Sequence, residues 1–94
     1  MIYSLEFKPK ALKEFKKLDN SIKEQFKNKL KERLANPKVQ KDKLSGFANV
    51  YKIKLRVAGY RLAYEVIDDR LVVLVLSVGK RENSKIYKNL KNRF

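Results

Sequence analysis

The amino-acid sequence predicts a single α+β domain with an antiparallel sheet. Its apolar residues recur in patterns whose order along the chain is β-α-α-β-β-β-α, so helices and strands are grouped rather than alternating. The chain has 94 residues, of which 44% are hydrophobic. A chain of this length can build one hydrophobic core but not two. We therefore expect residues 1–94 to form one domain.

The first two predicted elements are a strand and a short helix. Residues 2–7 alternate between apolar and polar side chains, as in a half-buried strand. Pro9 fits a first helical turn, where its missing N–H group is not needed for hydrogen bonding. Three apolar residues then follow at spacings of three: Leu12, Phe15 and Leu18. We therefore expect a helix that begins at Pro9 and ends at Asp19-Asn20.

A second amphipathic helix is predicted directly afterwards. Residues 21–24 have the spacing of a capping box, in which a serine and a glutamate satisfy two free backbone N–H groups at the start of a helix. Four apolar residues follow at steps of four: Ile22, Phe26, Leu30 and Leu34. Asn36-Pro37 ends the pattern, so the two helices are expected to form a hairpin.

Two strands joined by a turn are predicted next. Residues 38–49 are irregular, and two of their apolar side chains are expected to be anchored in the core: Leu44 and Phe47. The strand over 50–56 alternates between apolar and basic side chains. Gly59 marks the reversal of the chain into the next strand, over 60–67.

The last two predicted elements are a strand and a short helix. Residues 71–78 follow a tight turn at Asp68-Asp69 and are apolar on both faces, so this strand is expected to lie in the centre of the sheet. The C-terminal helix is predicted from three side chains on one side: Ile86, Tyr87 and Leu90.

The charge of the chain points to a polyanionic partner. Twenty-four Lys and Arg residues against ten Asp and Glu residues leave a net charge of +14. A compact domain with this charge repels itself, and a nucleic acid is the usual partner that compensates. The longest apolar run, over 71–76, is far shorter than the roughly 20 residues needed to span a bilayer, and the N-terminus lacks the apolar segment of a signal peptide. We therefore expect a cytoplasmic protein without a membrane partner.

The absence of two residue types excludes several kinds of site. The chain has no cysteine and no histidine, so it offers no thiolate metal site, no cysteine nucleophile and no histidine general base. Its ten carboxylates are scattered, whereas a two-metal nuclease needs a dense acidic cluster. We therefore expect neither a metal nor another cofactor.

The basic side chains of the strand over 50–56 are the first candidate site residues. A solvated strand face would also explain them. If the connection Arg56–Gly59 is two or four residues long, however, Lys54 lies opposite Arg61 on the next strand. Like charges placed opposite each other destabilise a sheet by up to about 1 kcal/mol. A cluster of Lys52, Lys54 and Arg61 is therefore better explained by a bound phosphate.

Two residues near the C-terminus extend this cluster. Arg81 follows the strand over 71–78, whose end lies at the same edge of the sheet as Arg61, so the two guanidinium groups are expected to converge. Tyr87 lies six residues further on, where a helix would return its ring to that edge. Core packing beside Ile86 and Leu90 is the alternative role for Tyr87.

Several motifs occur together in one order. They are Lys43-Leu44-Ser45-Gly46, Tyr51-Lys52-Ile53-Lys54-Leu55-Arg56, Gly59-Tyr60-Arg61-Leu62, and Val78-Gly79-Lys80-Arg81 followed by Tyr87. With these motifs the chain resembles, over essentially its whole length, the RelE toxins of bacterial toxin–antitoxin pairs. The resemblance implies a microbial-ribonuclease-like α+β fold with a curved antiparallel sheet, and a ribosome-dependent endonuclease that cuts mRNA in the ribosomal A site.

The resemblance also implies roles for particular residues. The catalytic residues that it implies are Lys52, Lys54, Arg61, Arg81 and Tyr87. The implied contacts with RNA and the ribosome are Arg56, Lys80, Lys43 and Lys85. Some members of the family use a Glu/His pair, and the absence of histidine places this chain with the members that have a basic site.

The chemistry of RNA cleavage suggests a catalytic role for each of the implied residues. The 2′-OH attacks the adjacent phosphate, which leaves a 2′,3′-cyclic phosphate and a free 5′-OH. Lys54 is assigned as the general base and Lys52 as support for the transition-state charge. Arg61 would hold the scissile phosphate, Arg81 would stabilise the phosphorane, and Tyr87 would stack on a codon base.

The partners implied by the resemblance are a cognate RelB-like antitoxin and the 70S ribosome, with its 16S rRNA and the mRNA. Operator DNA would be contacted only through the antitoxin complex, in which the toxin helps to repress its own operon. Two alternatives remain open from the sequence. One is a non-catalytic basic protein that binds RNA or the ribosome, and the other is a toxin of the same fold that poisons DNA gyrase.

Overall fold

A computed structural model describes residues 2–80 of the chain. Their helices and strands, in chain order, are β1 (Ser4–Phe7), α1 (Pro9–Lys16), α2 (Asn20–Ala35), β2 (Val50–Leu55), β3 (Tyr60–Ile67) and β4 (Val72–Lys80). Two turns of 3-10 helix, Gln40–Asp42 and Asp68–Arg70, lie in the connections. The predicted α+β class is confirmed. The predicted C-terminal helix lies outside the described residues.

The four strands form one mixed sheet in the order β1-β4-β3-β2. The pairs β2–β3 and β3–β4 are antiparallel, as predicted, and β4 is central, as its two apolar faces indicated. In contrast to the predicted antiparallel sheet, β1 pairs with β4 in parallel. Short turns force antiparallel pairing on the last three strands, whereas both helices and two strands separate β1 from β4, so no hairpin constrains its direction.

The two helices cover one face of the sheet and form the main core with it. From the helices, Ala11, Phe15, Ile22, Phe26 and Leu30 are buried. From β2, Tyr51, Ile53 and Leu55 point to the same core, as their alternation predicted. Burial of a side chain such as Phe26, which is fully inaccessible, contributes about 1.5–3 kcal/mol. Neither helix within the described residues is long and apolar enough to cross a membrane.

Helix α1 begins at Pro9, as predicted, but it ends at Lys16 and not at Asp19-Asn20, because the N–H groups of Lys17 and Leu18 turn to the carbonyls three residues earlier, of Glu14 and Phe15. The start of α2 also differs from the prediction. Asp19, in an extended conformation, caps this helix, and its carbonyl accepts the first helical hydrogen bond, from the N–H of Lys23 at 2.9 Å. The predicted capping box at Ser21 is therefore wrong, because Ser21 already lies inside the helix and its hydroxyl accepts a hydrogen bond from Gln25 at 3.4 Å. The helix ends at Ala35, before Pro37, as predicted.

A second, smaller cluster lies on the sheet face opposite the helices. Val50, Ala63 and Leu76 are buried there, and Leu44 and Phe47 from the irregular segment pack against them. The predicted anchoring of Leu44 and Phe47 is confirmed. Because residues alternate between faces along β2, the side chains of Lys52 and Lys54 belong to this same face.

Candidate active site

The register of the β2–β3 hairpin places the predicted basic residues together. Residues 56–59 connect the two strands, and the N–H of Gly59, which has a φ of 74°, donates to the Leu55 carbonyl at 2.8 Å. With this four-residue connection Lys54 lies directly opposite Arg61, and Lys52 lies opposite Ala63. The juxtaposition predicted from the loop length is confirmed.

The neighbours of these side chains leave room around them. Ala63 and Gly79, which oppose Lys52 and Arg61 respectively, have small side chains or none. Lys52 and Arg61 are half-buried, and Lys54 is exposed. The result is a basic cluster of Lys52, Lys54 and Arg61 that solvent and a phosphate can reach.

The pKa of Lys54 is lowered from its ordinary value. The main cause is the positive charge of Lys52, and a hydrogen bond between the two amino groups adds to it. Partial desolvation and the charges of Arg61 and Arg56 lower this pKa further. A lysine is a better base when its neutral amine is accessible near neutral pH. The cluster can therefore combine two functions, which are phosphate binding and proton abstraction.

A groove of about 660 Å³ runs along the outer edge of β2. Its walls are Gln25, Lys29 and Arg33 of α2, Lys41 and Asp42 of the first 3-10 turn, and residues 52–57. A smaller recess of about 280 Å³ lies between Lys54, Leu55, Arg56, Tyr60 and Arg61. Lys54 and Arg56 border both spaces. A phosphodiester chain passing over the turn would therefore meet cations on both sides.

The other predicted contact residues are distributed around this centre. Arg56 is exposed and lines both spaces. Lys43 lies on the outer edge of β2, where it bridges to Tyr51. Lys80 pairs with Tyr60, whose ring packs against the main core, so the register places Lys80 on the opposite face from the basic cluster. Arg81, Lys85 and Tyr87 lie outside the described residues.

The carboxylates of the described residues do not gather into a site. No group of three or more Asp and Glu residues within 2–80 could hold a metal ion. Asp68, which was predicted only as a turn residue, accepts hydrogen bonds from Tyr3 at 2.8 Å and from Lys38 at 2.7 Å. These bonds lower the pKa of Asp68 and fasten the N-terminal segment and the loop after α2 to the end of β3.

Sequence reasoning missed one residue that contacts the site. Arg33 donates a hydrogen bond to the Lys52 carbonyl at 3.3 Å and forms an ion pair with Asp42 at 2.6 Å. Its position offered a signal, because Arg33 follows Phe26 and Leu30 at the i, i+4, i+7 spacing of the buried face of α2. A charged residue at such a position needs a buried partner.

Comparison with known proteins shows the family to which this chain belongs. The family model described as "ParE toxin of type II toxin-antitoxin system, parDE" matches residues 5–84. The mRNA interferase toxin RelE of Escherichia coli strain K12 is 53% identical over 87 residues, which are 93% of this chain and 92% of that protein.

Solved structures agree with this assignment. The free E. coli RelE toxin, as a variant with two arginines replaced by alanine, superposes with a TM-score of 0.93 at 49% identity, over 100% of this chain and 99% of that chain. The toxin in the intact E. coli RelBE toxin–antitoxin complex superposes with a TM-score of 0.81 at 52% identity, over 83% of this chain and 95% of that chain. The chain therefore belongs to the RelE/ParE family of type II toxin–antitoxin toxins and is similar to its RelE members.

Proposed function

We propose that this chain is an mRNA interferase, a toxin that cuts mRNA in the A site of the ribosome. The observation that carries the proposal is the basic cluster, in which Lys52 lowers the pKa of Lys54 beside Arg61. The similarity to E. coli RelE, which is named an mRNA interferase, supports it. That similarity also favours this function over a non-catalytic RNA-binding protein and over a gyrase-poisoning toxin.

In the proposed reaction the RNA supplies its own nucleophile. The neutral amine of Lys54 takes the proton of the 2′-OH as that oxygen attacks the adjacent phosphorus. The bond to the 5′-oxygen breaks and this oxygen takes a proton from solvent water, which leaves a 2′,3′-cyclic phosphate and a 5′-OH. The proton taken by Lys54 returns to solvent. Lys52 stabilises the charge that develops on the phosphorane, and Arg61 holds the scissile phosphate through its planar guanidinium.

The remaining implied residues complete this scheme. Arg81 assists the phosphorane and the leaving 5′-oxygen, and Tyr87 stacks on a base of the codon. The pKa of an arginine lies above about 12, so Arg81 acts as a donor of hydrogen bonds and not as the source of a free proton. Arg56, at the tip of the hairpin beside Lys54, contacts a neighbouring phosphate.

In this proposal the ribosome positions the mRNA for in-line attack, which a domain of this size cannot do alone. A reaction by in-line attack needs the 2′-oxygen, the phosphorus and the 5′-oxygen to be aligned, and the A site holds mRNA in a fixed geometry. The net charge of +14 draws the toxin to the rRNA phosphates, including those of 16S rRNA, with an affinity that falls as salt rises.

A RelB-like antitoxin is the proposed cellular partner. The E. coli RelE toxin has been solved in complex with its RelB antitoxin, at 52% identity to this chain. An acidic or amphipathic segment of the antitoxin would cover the basic cluster and prevent entry into the A site. The complex would repress its own operon, and the antitoxin would make the contacts with operator DNA.

A translation reaction with purified ribosomes tests this function. Mapping of mRNA ends by primer extension should show cuts in the codon of the A site, with a 2′,3′-cyclic phosphate on the upstream fragment. The same mRNA without ribosomes should stay intact, and EDTA at a concentration that leaves ribosomes assembled should have no effect. Rapid cutting of free RNA, or loss of cutting on selective metal removal, would contradict the proposal.

Two double variants provide the matched comparison. Lys52→Ala with Lys54→Ala removes two charges from the basic cluster, and cutting should be lost. Lys13→Ala with Lys16→Ala removes two exposed charges from α1, so ribosome affinity should fall modestly while cutting on bound ribosomes continues. Equal loss of cutting in both double variants would show that net charge, and not the cluster, carries the activity.

A further inference from the structure

A buried polar network lies behind the outer edge of β2. Arg33 donates to the Asp42 carboxylate at 2.6 Å, to the Tyr64 hydroxyl at 2.9 Å and to the Lys52 carbonyl at 3.3 Å. The Tyr64 hydroxyl in turn donates to the Pro37 carbonyl at 2.6 Å. One guanidinium group thus connects α2, the loop after it, β2 and β3.

The network is closed to solvent for most of its extent. The side chain of Arg33 is 12% exposed and that of Asp42 is 18% exposed, while Tyr64 is fully buried. Burial opposes the charged form of Arg33, but hydrogen bonds from it to Tyr64 and Asp42 outweigh burial and raise its pKa. Arg33 therefore stays charged, and its charge is balanced by Asp42 at the back of the groove.

The hydrogen bond from Arg33 to the Lys52 carbonyl connects the network to the basic cluster. In the described part of the chain β2 is an edge strand, and β3 holds only its inner side. On the outer side, the N–H of Leu44 holds the Val50 carbonyl at 2.9 Å, and Arg33 holds the carbonyl of Lys52, two residues further on. Fixing the Lys52 carbonyl fixes the peptide plane between Lys52 and Ile53, which sets the directions of the side chains on either side.

Lys52 and Lys54 need such support because they repel each other. Their side chains leave the same face of β2, two residues apart, and the positive charge of Lys52 is the main cause that lowers the pKa of Lys54. The charged groups around Lys54 are Lys52, Arg56 and Arg61, and the groove beside it is also lined by Lys29, Lys41 and the ion pair of Arg33 with Asp42. Asp42 is the only carboxylate among these groups and its charge is balanced by Arg33, so a strand free to bend at its outer edge would relax by moving the two lysines apart.

We infer that Arg33 is a positioning residue, held by Asp42 and Tyr64, that fixes the edge strand β2 so that Lys52 stays beside Lys54. This inference rests on the proposed function in naming Lys54 as the group that needs this arrangement. Arg33 donates to the backbone carbonyl of Lys52, and its effect on the reaction is expected through the position of Lys52.

The variant Arg33→Met tests the inference, because methionine fills similar space and donates no hydrogen bond. Two measurements are made on the purified full chain: the titration of the Lys54 amine by NMR, and the pH profile of single-turnover cleavage on ribosomes. Both should move to higher pH than in the wild type. At neutral pH the cleavage rate should fall about tenfold or more, with ribosome affinity changed less than about threefold.

Arg70→Met is the matched control. Arg70 forms an exposed ion pair with Glu6 at 3.4 Å, next to β1 and on the far side of the sheet from β2. It should leave both pH profiles unchanged. Asp42→Asn provides a second, milder perturbation should Arg33→Met fail to fold, and it should move the Lys54 titration in the same direction.

The outcomes separate this inference from the proposed function. A stability loss in the folded variants without movement of the Lys54 titration would overturn the positioning role and leave Arg33 as a structural residue. Because the NMR titration needs no ribosome, it decides the inference even if the wild-type chain fails to cut mRNA, a result that would overturn the proposed function alone.

Discussion

Replacing Tyr64 with phenylalanine removes one buried hydroxyl group and keeps the ring that packs in the core. The hydroxyl donates to the Pro37 carbonyl at 2.6 Å and accepts from Arg33 at 2.9 Å. The ring itself stacks on Tyr51, with 5.8 Å between the ring centroids, and phenylalanine preserves this contact. The change therefore tests the hydrogen bonds of the network without opening a cavity.

The expected loss of stability follows from the two hydrogen bonds that the Tyr64 hydroxyl makes with Pro37 and Arg33. A buried hydrogen bond between neutral groups contributes about 0.5–1.5 kcal/mol, and one to a charged group about 1.5–3 kcal/mol. We expect Tyr64→Phe to lower the free energy of unfolding by about 2–4 kcal/mol. A domain of this size has roughly 5–14 kcal/mol in total. For domains of this size each kcal/mol shifts Tm by about 4–8 °C, so a fall of at least ~8 °C is expected.

Equilibrium unfolding in urea, followed by circular dichroism, measures this change. Tyr3→Phe is the control, because it makes the same chemical change where the hydroxyl bonds to Asp68 at 2.8 Å on the exposed surface. A hydrogen bond on the exposed surface competes with water and stabilises the fold less than a buried one. If Tyr64→Phe costs no more than Tyr3→Phe, the network does not stabilise the fold and its positioning role loses its basis.

Two further predictions concern pH and toxicity. The Asp68 pKa is lowered, mainly by the hydrogen bond from Lys38, so its stabilising effect is complete above the unfolded pKa of about 3.9 and is lost as pH falls through the folded pKa. The urea midpoint of the wild type should therefore fall towards that of Asp68→Asn below about pH 4, whereas Asp69→Asn should keep the wild-type dependence. Expression without an antitoxin should stop bacterial growth, Lys54→Ala should restore it, and unimpaired growth with the wild type would contradict the toxin function.

The hairpin and its cluster could be predicted because they depend on local pattern. The alternation of apolar and basic residues predicted the two faces of β2. The four-residue connection between β2 and β3 determines the register, which places Lys54 opposite Arg61. Both signals lie within about a dozen residues of sequence. The face on which Lys80 lies could not be predicted in this way, because a register shift between Ala63 and Tyr64 in the pairing of β3 with β4 places Lys80 opposite Tyr60 and not on the face of Arg61.

Features that depend on contacts between distant segments could not be predicted from local sequence patterns. The parallel pairing of β1 with β4 joins residues almost 70 positions apart, and no turn between them fixes a direction. The start of α2 was misplaced because Asp19 and Ser21 both suit a cap, and the backbone conformation chose Asp19. The contacts of Arg33 with Asp42, Lys52 and Tyr64 span separations of 9 to 31 residues, which no local period encodes.

The role of Lys54 as general base is the central claim, and single-turnover cleavage of mRNA on ribosomes by Lys54→Arg tests it most directly. Arginine keeps the positive charge but cannot release its proton near neutral pH. The cleavage rate should fall by about 10²-fold or more, as in Lys54→Ala, with ribosome binding nearly intact. The wild-type rate should rise with pH through the Lys54 titration, and that rise should vanish in both variants. Cleavage by Lys54→Arg at close to the wild-type rate would contradict the claim and reduce Lys54 to an electrostatic role, with Lys52 as the next residue to test as the base.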